Sequence, residues 1–399
     1  MNYQQALDYI KTLQKEDVVE REWTLEQIKE LLQKLNNPEK RIGTIIHVAG
    51  TNGKGSVCAM LANIANIAGY KVGLYTSPHI SEITERIRIN NEKISKDKWT
   101  KYVQRIRQYI TTESFFEVMT AIAFLYFAEE HVDISIVEVG LGGRLDATNV
   151  VESTISIITN ISLEHTQRLG KTEEAIAREK AGIIKENSIC ITAAKGKALE
   201  VLEKICQEKK TQLIHANTTN AFELSLKGEM QKENAGIVVA ALEALKKKNI
   251  IIPKIHIVEG LRTTVWHGRL EFIDKNVLVD VAHNPGGMEQ LAKELKKIKK
   301  EQFKKLVLVI GILADKDWKI MLDQIVSVAD IIIVTKPNNQ RAADPEVLQR
   351  FLEKEYGIDA ECIEHVPAAL EKAKRLAKRD DLIVVTGSFY TLGEIYREF

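Results

Sequence analysis

Short aliphatic segments alternate with helix-like segments along most of this chain. In its first half the aliphatic segments contain few charged residues, as expected of strands that are buried on both faces. The segments between them place apolar residues three or four positions apart, which is the spacing of an amphipathic helix. This alternation predicts an α/β fold with a parallel sheet covered by helices on both faces. The predicted strands are residues 44–48, 71–75, 134–139, 154–159 and 188–192.

A second alternating series follows Val258, with predicted strands at residues 277–281, 306–310, 331–335 and 382–386. Helical segments rich in lysine and glutamate separate these strands, so we expect a second, smaller sheet of Rossmann-like α/β type. A chain of 399 residues also exceeds the size at which one hydrophobic core usually stops growing. Residues 247–259, which include Pro253, are the expected linker. We therefore expect two domains, residues 1–260 and residues 261–399.

A glycine-rich segment, residues 50–56, joins the first predicted strand to a helix and reads GTNGKGS. Glycines allow backbone N–H groups to turn inward around a phosphate, and the helix that begins there adds its positive dipole. Lys54 supplies a charge for the terminal phosphates, and Ser56 supplies a hydroxyl for Mg²⁺. The spacing differs from the standard P-loop, because only two residues separate Gly50 from Gly53 and Gly55 stands between Lys54 and Ser56. The segment predicts ATP binding; the alternative is a glycine-rich turn without a ligand.

Two residues suited to metal binding follow predicted strands of the first domain. Glu138 is the one carboxylate in an aliphatic run, where a charge is costly unless it has a partner. Mg²⁺ held against a phosphate would be such a partner, because the carboxyl ends of central strands form nucleotide sites in α/β proteins. Arg144 is the alternative partner. His165 would lie at the same edge of the sheet, although a lone histidine is more often an ordinary loop residue.

Lys180 lies on the apolar face of a predicted helix. Ile176, Lys180, Ile183 and Ile184 share one face at a spacing of about 3.6 residues. An ammonium group held among apolar side chains has a lowered pKa, so this lysine is a candidate nucleophile, phosphate ligand or site of carbamylation by CO₂. The alternative is that its side chain extends along the helix to water.

In the second domain, three predicted strands are followed by loops that carry polar residues. The loops are residues 280–285, 311–317 and 386–390. Carboxyl ends of parallel strands meet at one edge of a sheet, so we expect these loops to lie together and to bind a ligand. The alternative for each loop is ordinary turn chemistry.

Composition excludes several classes of protein. Lysine and arginine number 56 against 55 acidic residues, a balance that gives no reason to expect a nucleic-acid partner. Cys58, Cys190, Cys206 and Cys362 are widely spaced, which suits reduced thiols and argues against a structural zinc site. The N-terminal residues predict an amphipathic helix rather than a signal peptide, and no apolar run approaches membrane-spanning length. We expect a cytoplasmic protein that is not associated with a membrane.

The ordered motifs of this chain resemble those of the folylpolyglutamate synthases and dihydrofolate synthases of the Mur ligase superfamily. The resemblance covers nearly the whole chain, and it rests on residues 47–56, 75–79, 85–90, 115–117, 138–149, 178–185, 268–271, 282–285 and 313–316. It implies an ATP-dependent amide ligase. In such an enzyme the carboxylate of a folate takes the γ-phosphoryl group of ATP, and the amine of L-glutamate then displaces phosphate from the acyl phosphate. Dihydropteroate is the second candidate acid.

Matched motif by motif, the resemblance implies roles for individual residues. The implied nucleotide-binding residues are Asn52, Gly53, Lys54, Gly55, Ser56, Val57, Asn234, Arg269 and Asp280. Two magnesium ions would be held by Ser56, Glu138, His165 and a carbamylated Lys180. The pterin side would be lined by Ser77, His79, Phe116, Asp146 and Ala147, and glutamate would be received by His283, Asp315 and Ser388. The implied catalytic residues are Lys54, Lys180 and His283.

Some positions depart from the family pattern. Residues 15–21 replace a phenylalanine-glycine stretch and a glycine-leucine pair on the pterin side, which leaves the acceptance of dihydropteroate open. Three alternative functions remain: a Mur-like ligase that joins an amino acid to a non-folate acid, a P-loop kinase or NTPase, and a nucleotide-binding protein without catalysis. We expect a monomer, because one chain carries both domains.

Overall fold

A computed structural model describes residues 1–16 and 23–397 and divides the chain into two compact units. The first unit comprises Met1–His79, Ile83–Ser225 and Gln231–Val265. The second comprises Ile80–Glu82, Leu226–Met230 and Trp266–Phe399. Residues 17–21, which carry most of the departure on the pterin side, lie outside the described residues.

A mostly parallel sheet forms the centre of the first unit. Its strands are β1 (Thr44–Ala49), β2 (Val72–Tyr75), β3 (Ile87–Ile89), β4 (Glu92–Lys93), β5 (Ile134–Glu138), β6 (Ile155–Ile158), β7 (Ile189–Thr192) and β8 (Gln212–His215). Within the described residues they form an eight-stranded sheet in the order β4-β3-β2-β5-β1-β6-β7-β8. All neighbours from β2 to β8 are parallel, and only β3 and β4 are antiparallel. The predicted parallel sheet is confirmed, with an antiparallel edge that the sequence pattern did not indicate.

The second unit has a sheet of its own. Its strands are β9 (Glu271–Asp274), β10 (Val277–Val279), β11 (Leu306–Ile310), β12 (Ile331–Lys336), β13 (Glu361–His365) and β14 (Leu382–Thr386). In the described part of the unit they form a six-stranded sheet in the order β13-β12-β11-β14-β10-β9. Only β9 is antiparallel to its neighbour. The second, smaller α/β sheet is therefore also confirmed.

Helices cover both sheets. In the first unit they are α1 (Tyr3–Glu16), α2 (Glu26–Lys34), α3 (Lys54–Ile67), α4 (Lys96–Ile106), α5 (Phe115–Glu129), α6 (Thr166–Leu169), α7 (Glu173–Ala181), α8 (Gly196–Glu208), α9 (Met230–Leu245) and α10 (Lys254–Thr263). In the second unit they are α11 (Pro285–Gln302), α12 (Trp318–Ile325), α13 (Pro345–Tyr356), α14 (Val366–Leu376) and α15 (Phe389–Ile395). No helix in the described ranges is long and apolar enough to cross a membrane.

Strand β11 shows why these runs are almost entirely aliphatic. Its alternate residues enter two different cores, because successive side chains of a strand point to opposite faces. Leu308 packs in one core with Leu291 of α11, whereas Val309 packs in the other core with Ala369 of α14. All five residues of the strand are buried. A strand covered on both faces therefore lacks the polar alternation of a surface strand.

The prediction of a linker at residues 247–259 is wrong for residues 254–259, which are helical. Residues 254–263 form α10, which packs within the first unit against α3. Asn63 Nδ2 donates a hydrogen bond to Gly260 O at 2.9 Å, and a Cβ on Gly260 would lie 2.4 Å from Ile64. Pro253 directly precedes the first residue of α10, so its missing N–H removes no hydrogen bond from the interior of the helix.

Candidate functional site

The segment between β1 and α3 is a tight loop with two glycines at positive φ angles. Gly50 has φ of +144° and Gly53 has φ of +84°, conformations that other residues rarely adopt. A Cβ on Gly50 would lie 1.8 Å from Thr159 Oγ1, and a Cβ on Gly53 would lie 2.4 Å from Asn234 Oδ1. Glycine is therefore needed at both positions for backbone conformation and for the close approach of neighbouring side chains.

Hydrogen bonds from the residues after β6 hold this loop in shape. Asn52 N donates to Asn160 Oδ1 at 3.0 Å, and Thr159 Oγ1 donates to Asn52 O at 2.6 Å. Val57 N donates to Gly53 O at 2.9 Å, which starts α3. Gly55, Ser56 and Val57 are buried in the first turn of that helix. Sequence reasoning missed Thr159 and Asn160, although a polar pair directly after an aliphatic strand is the signal that could have found them.

Two lysine amines converge on one carbonyl of the loop. Lys54 Nζ donates to Gly50 O and to Thr51 O, at 3.1 Å in each case, and Lys180 Nζ donates to Gly50 O at 2.8 Å. Lys180 is only 3% exposed, so its side chain does not extend to water. Helix α7 ends at Ala181, so the predicted helical face stops there, and Ile183 and Ile184 are buried in the turn that follows.

The surroundings of Lys180 change its protonation. The pKa of its amine is lowered from 10.5 to about 7, chiefly by burial and to a smaller extent by the charge of Lys54. The carboxylates of Glu164 and Asp146 act in the opposite direction. A lowered pKa increases the fraction of neutral amine near pH 7, and the neutral amine is the nucleophilic form.

Two polar side chains of α9 reach the first turn of α3. Asn234 Nδ2 donates to Gln231 Oε1 at 2.9 Å, and Gln231 Nε2 donates to Ser56 Oγ at 3.4 Å. All three residues are buried. The structure thus brings Asn234, a predicted nucleotide contact, to Ser56, a predicted metal ligand. Sequence reasoning missed Gln231, although its position three residues before Asn234 places both on one side of the helix.

Glu138 ends β5 beside β1, where its Cα pairs with that of Val48. It is buried, and its Oε2 accepts a hydrogen bond from Ser77 N at 2.9 Å. A predicted metal ligand and a predicted pterin-side residue are therefore neighbours. Arg144, the alternative partner of Glu138, instead forms an ion pair with Glu179 at 3.0 Å.

His165 precedes α6 in a left-handed conformation with φ of +49°. Its Nε2 lies 3.6 Å from Glu164 Oε1, and its side chain is about one-third exposed. Within residues 1–16 and 23–397, no group of three or more histidine, cysteine, aspartate and glutamate side chains could hold a metal ion by itself. A metal held by Ser56, Glu138 and His165 would therefore need further ligands from a nucleotide or from a modified Lys180.

Two of the predicted pterin-side residues, Phe116 and His79, each contact a residue outside the predicted set. Phe116, in the first turn of α5, stacks on Tyr75 with ring centroids 5.9 Å apart. A Cβ on Gly140 would lie 2.6 Å from the Phe116 ring, so this glycine makes room for the ring. His79 Nδ1 accepts a hydrogen bond from Arg86 Nε at 2.8 Å. The ring of Phe116 and the imidazole of His79 are both half-buried.

Asp146 is tied into its own loop. Its Oδ2 accepts a hydrogen bond from Leu141 N at 2.8 Å, and its Oδ1 accepts one from Thr148 N at 3.0 Å and another from the Thr148 hydroxyl. Burial raises the pKa of its carboxyl, and these hydrogen bonds offset part of that increase. Ala147 follows it, buried at the start of a short 3₁₀ helix. These contacts establish a structural role for Asp146 in the loop.

In the second unit, the three predicted loops follow strands that are neighbours in the sheet. Strand β14 pairs in parallel with both β10 and β11, so the loops after these strands leave the same edge. A Cβ on Gly387 would lie 2.5 Å from Gly311 O, which places two of the loops in direct contact. The prediction that these loops lie together is confirmed.

Arg269 and His283 both lie against Phe389. The Arg269 guanidinium is 5.8 Å from the centre of the Phe389 ring, and the His283 ring is 5.3 Å from it. His283 Nδ1 donates to Val281 O at 2.9 Å. A carbonyl oxygen can only accept, so in a neutral imidazole Nε2 is left as the acceptor.

The remaining predicted residues of this unit have partners of their own. Asp280 accepts hydrogen bonds from Leu270 N and Ala282 N, and burial raises the pKa of its carboxyl, while Arg269 acts in the opposite direction. Asp315 forms an exposed ion pair with Arg341 at 3.3 Å. Ser388 is buried and caps α15, where its Oγ accepts from Thr391 N at 3.0 Å. The cap uses the Ser388 hydroxyl for helix structure, a role that sequence reasoning did not anticipate.

Comparison with known families matches both units. Residues 48–257 match the Mur ligase middle domain, and residues 268–389 match the glutamate ligase domain of Mur ligases.

Individual relatives align over nearly the whole chain. The dihydrofolate synthase/folylpolyglutamate synthase of Bacillus subtilis is 35% identical over 410 residues, which cover 93% of this chain and 94% of that protein. A probable bifunctional folylpolyglutamate synthase/dihydropteroate synthase of Haloferax volcanii is 32% identical over 430 residues. The aligned residues cover 99% of this chain but only 50% of the Haloferax volcanii protein, so this chain spans half the length of that protein.

Solved structures of the same kind of enzyme also align with nearly the whole chain. Escherichia coli FolC in complex with DHPP and ADP is 29% identical, with a TM-score of 0.89 over 98% of this chain and 97% of that chain. The bifunctional folylpolyglutamate synthase/dihydrofolate synthase of Yersinia pestis, complexed with AMPPNP and a Mn ion, is 27% identical, with a TM-score of 0.88 over 100% of this chain and 98% of that chain. On the evidence of both domains and of relatives aligned end to end, this chain belongs to the folylpolyglutamate synthase/dihydrofolate synthase family of Mur ligases, which are ATP-dependent ligases.

Proposed function

We propose that this chain adds L-glutamate to the carboxylate of a folate, and that it also joins L-glutamate to dihydropteroate. The substrate carboxylate attacks the γ-phosphorus of ATP, which gives an acyl phosphate and ADP. The amine of glutamate then attacks the acyl carbon, and inorganic phosphate leaves as the amide forms. The relatives named as dihydrofolate synthase and folylpolyglutamate synthase, and the E. coli structure with DHPP and ADP, support both acids as substrates.

The observation that carries this proposal is the convergence of Lys54 and Lys180 on the loop carbonyl of Gly50. A phosphate held by the backbone amides of this loop would lie beside Lys54, whose charge would offset that of the transferring phosphoryl group. A P-loop ATPase needs one such lysine. A second, buried lysine with a pKa near 7 is suited to chemistry that requires a neutral amine.

We propose that Lys180 is carbamylated in the active enzyme. Its neutral amine would attack the carbon of CO₂, form an N–C bond and release one proton, so that the neutral amine becomes a carbamate anion. The new oxygens, together with Ser56, Glu138 and His165, would then hold two magnesium ions against the nucleotide. Mg²⁺ prefers hard oxygen ligands, and such ions supply charge stabilisation for phosphoryl transfer. The Yersinia pestis structure with AMPPNP and a Mn ion supports a divalent metal beside the nucleotide.

We assign the folate and the phosphate-binding loop for the nucleotide to residues 1–260, and the incoming glutamate to residues 261–399. The match of residues 268–389 to a glutamate ligase domain supports the second assignment. His283, with Nε2 as an acceptor, and the Ser388 and Asp315 loops would receive the amino acid, while Arg269 and Asp280 would contact the nucleotide. Since one chain carries both groups of residues, we also propose that it acts as a monomer, which light scattering after size exclusion would test.

Mass spectrometry of the products tests the function. The purified protein is incubated with ATP, Mg²⁺ and L-glutamate, in parallel with dihydropteroate and with a reduced folate. We expect each acid to gain the mass of at least one glutamate residue, and each adduct to depend on ATP. No adduct on either acid, with ATP still consumed, would refute the folate assignment.

A trapping experiment tests the acyl phosphate. Hydroxylamine replaces glutamate in the reaction, and an acyl hydroxamate of the folate should form with one ADP per hydroxamate. ADP release that is independent of the acid would instead indicate an NTPase. Lys54→Met should abolish the hydroxamate, since it removes the charge beside the terminal phosphates.

A further inference from the structure

A fully buried histidine lies beneath the loop at residues 140–149, and nothing in the proposed reaction uses it. His47 is the fourth residue of β1, on the face of the strand that also carries Ile45. Ile45 packs in the same core as residues of α5. Burying an imidazole at this position costs free energy relative to an apolar side chain, unless its polar atoms are hydrogen-bonded.

Hydrogen bonds connect His47 to Thr148 and Thr148 to Asp146, and the donors and acceptors along this series can be arranged in only one way. His47 Nε2 lies 2.8 Å from Thr148 Oγ1, and the Thr148 hydroxyl donates to Asp146 Oδ1. Because the one proton of that hydroxyl is given to the carboxylate, Thr148 Oγ1 must accept from His47, and Nε2 must carry the imidazole proton. His47 Nδ1 is buried without a hydrogen-bond partner among the described residues, which is consistent with a bare nitrogen.

Burial also keeps this histidine neutral. The pKa of His47 is lowered from 6.5 to about 3 by desolvation, with a smaller contribution from the charge of Lys185. A neutral imidazole has a single N–H, and here that N–H has a single acceptor. The chain from His47 through Thr148 to Asp146 therefore has one arrangement at neutral pH, and it holds the Asp146 carboxylate from the side of the protein core.

The loop that this chain holds is packed directly on the helix that carries Lys180. Arg144 N donates to Glu179 O at 2.8 Å, and Asn149 Nδ2 donates to Gly182 O at 3.1 Å. A Cβ on Gly143 would lie 2.8 Å from Lys180 O, so backbone meets backbone at this contact. The loop begins two residues after Glu138, and a shift of the loop would therefore move both Glu138 and Lys180.

We propose that His47 is a positioning residue, which acts through the Thr148 hydroxyl to hold Asp146 and so aligns the loop between Glu138 and the Lys180 helix. The inference rests on the proposed function and deepens it, because it explains how the folate side of the site is held in register with the lysine. His47 contacts neither substrate nor nucleotide in this scheme.

Kinetics of matched Thr148 variants test the proposal. Thr148→Val keeps the shape and removes the hydroxyl, and we expect kcat/KM for the folate to fall at least tenfold, while KM for ATP changes less than twofold. A tenfold loss corresponds to about 1.4 kcal/mol, which is typical of one hydrogen bond. Thr148→Ser keeps the hydroxyl and should restore most of the activity. Wild-type kinetics in Thr148→Val, or an equal loss in Thr148→Ser, would overturn the proposal.

A double-mutant cycle tests the link to His47. His47→Leu removes the donor, whereas His47→Gln retains an N–H donor and serves as its conservative control. If the two residues act in one chain, His47→Leu combined with Thr148→Val should lose little more activity than either change alone. Additive losses would show that the residues act separately and would refute a role of His47 through the Thr148 hydroxyl. Should His47→Leu fail to fold, His47→Met, which also lacks an N–H donor, takes its place in the cycle with Thr148→Val.

A readout independent of activity separates this inference from the proposed function. In protein labelled with ¹⁵N-histidine, the two ring nitrogens of His47 should show protonated Nε2 and bare Nδ1 at pH 7, assigned by comparison with His47→Gln. A protonated Nδ1 would overturn the proposed hydrogen bonding from His47 through Thr148 to Asp146, even in a fully active enzyme. An inactive wild-type protein with the expected tautomer would refute the ligase assignment and leave this hydrogen bonding intact.

Discussion

The buried His47 should make the first unit sensitive to acid. Its pKa is lowered from 6.5 to about 3 in the folded protein, chiefly by desolvation. Between these two values the unfolded chain binds a proton that the folded chain does not, so stability falls as the pH falls through this window. At pH 7.5 the contribution is negligible, because histidine is mostly neutral in both states.

The size of the effect follows from the two pKa values. At pH 5 the unfolded state gains RT ln(1 + 10^(6.5 − 5)), or about 2 kcal/mol, from protonation of this residue, and the folded state gains almost nothing. His47→Gln does not titrate and retains an N–H donor. We therefore expect the wild-type protein to lose about 2 kcal/mol more than His47→Gln between pH 7.5 and pH 5.

Urea unfolding at the two pH values measures this difference. Trp99 is fully buried in the core that contains Ile45, so its fluorescence reports on the first unit once the other three tryptophans are replaced by phenylalanine. His131→Gln removes an exposed histidine of the same unit and serves as the control. Equal losses in the wild-type protein and in His47→Gln would refute the argument that burial keeps His47 neutral.

Three further predictions concern the lysine, the loop and the second unit. Lys180→Ala should abolish glutamate addition measured by mass spectrometry, whereas the control Lys171→Ala should remain active. In CO₂-depleted buffer, bicarbonate should restore the activity of the wild-type protein. Full activity of Lys180→Ala would exclude the Lys180 side chain from the reaction. Gly53→Ala should weaken ADP binding at least tenfold by calorimetry, because its φ of +84° disfavours a side chain by about 1–2 kcal/mol; unchanged affinity would contradict this. Ser388→Ala should lower the unfolding free energy of the second unit by about 1 kcal/mol through loss of its cap, and an unchanged urea midpoint would count against that role.

Strands buried on both faces were predictable, whereas edge strands were not. The predicted strands at residues 306–310 and 382–386 agree with β11 and β14 residue for residue. Strands β4 and β8 carry exposed residues, and β13 contains Glu361 and Glu364. A strand at the edge of a sheet needs no aliphatic run, because one face or one side remains in water. The apolar pattern therefore finds the centre of a sheet and misses its margins.

The site shows the same division. The loop at residues 50–57 could be predicted because closely spaced glycines before the start of a helix are a local pattern in the sequence. The side chains that hold this loop come from elsewhere: Thr159 and Asn160 follow another strand, and Gln231 lies on a helix far along the chain. No local pattern reports such contacts, since they depend on which elements the fold brings together.

By itself, the amino-acid sequence determined two α/β units, a glycine-rich loop before a helix and a lysine on an apolar helical face, because periodicity and glycine spacing are local properties of the chain. Only the tertiary structure decided that Lys54 and Lys180 meet at one carbonyl, that Glu138 is bonded to Ser77 N, and that the Ser388 hydroxyl caps a helix. The physical reason is that hydrogen bonds and desolvation act over a few ångströms in space. The Lys180 amine and the Gly50 carbonyl, for example, are joined by a hydrogen bond although they are 130 positions apart in the chain.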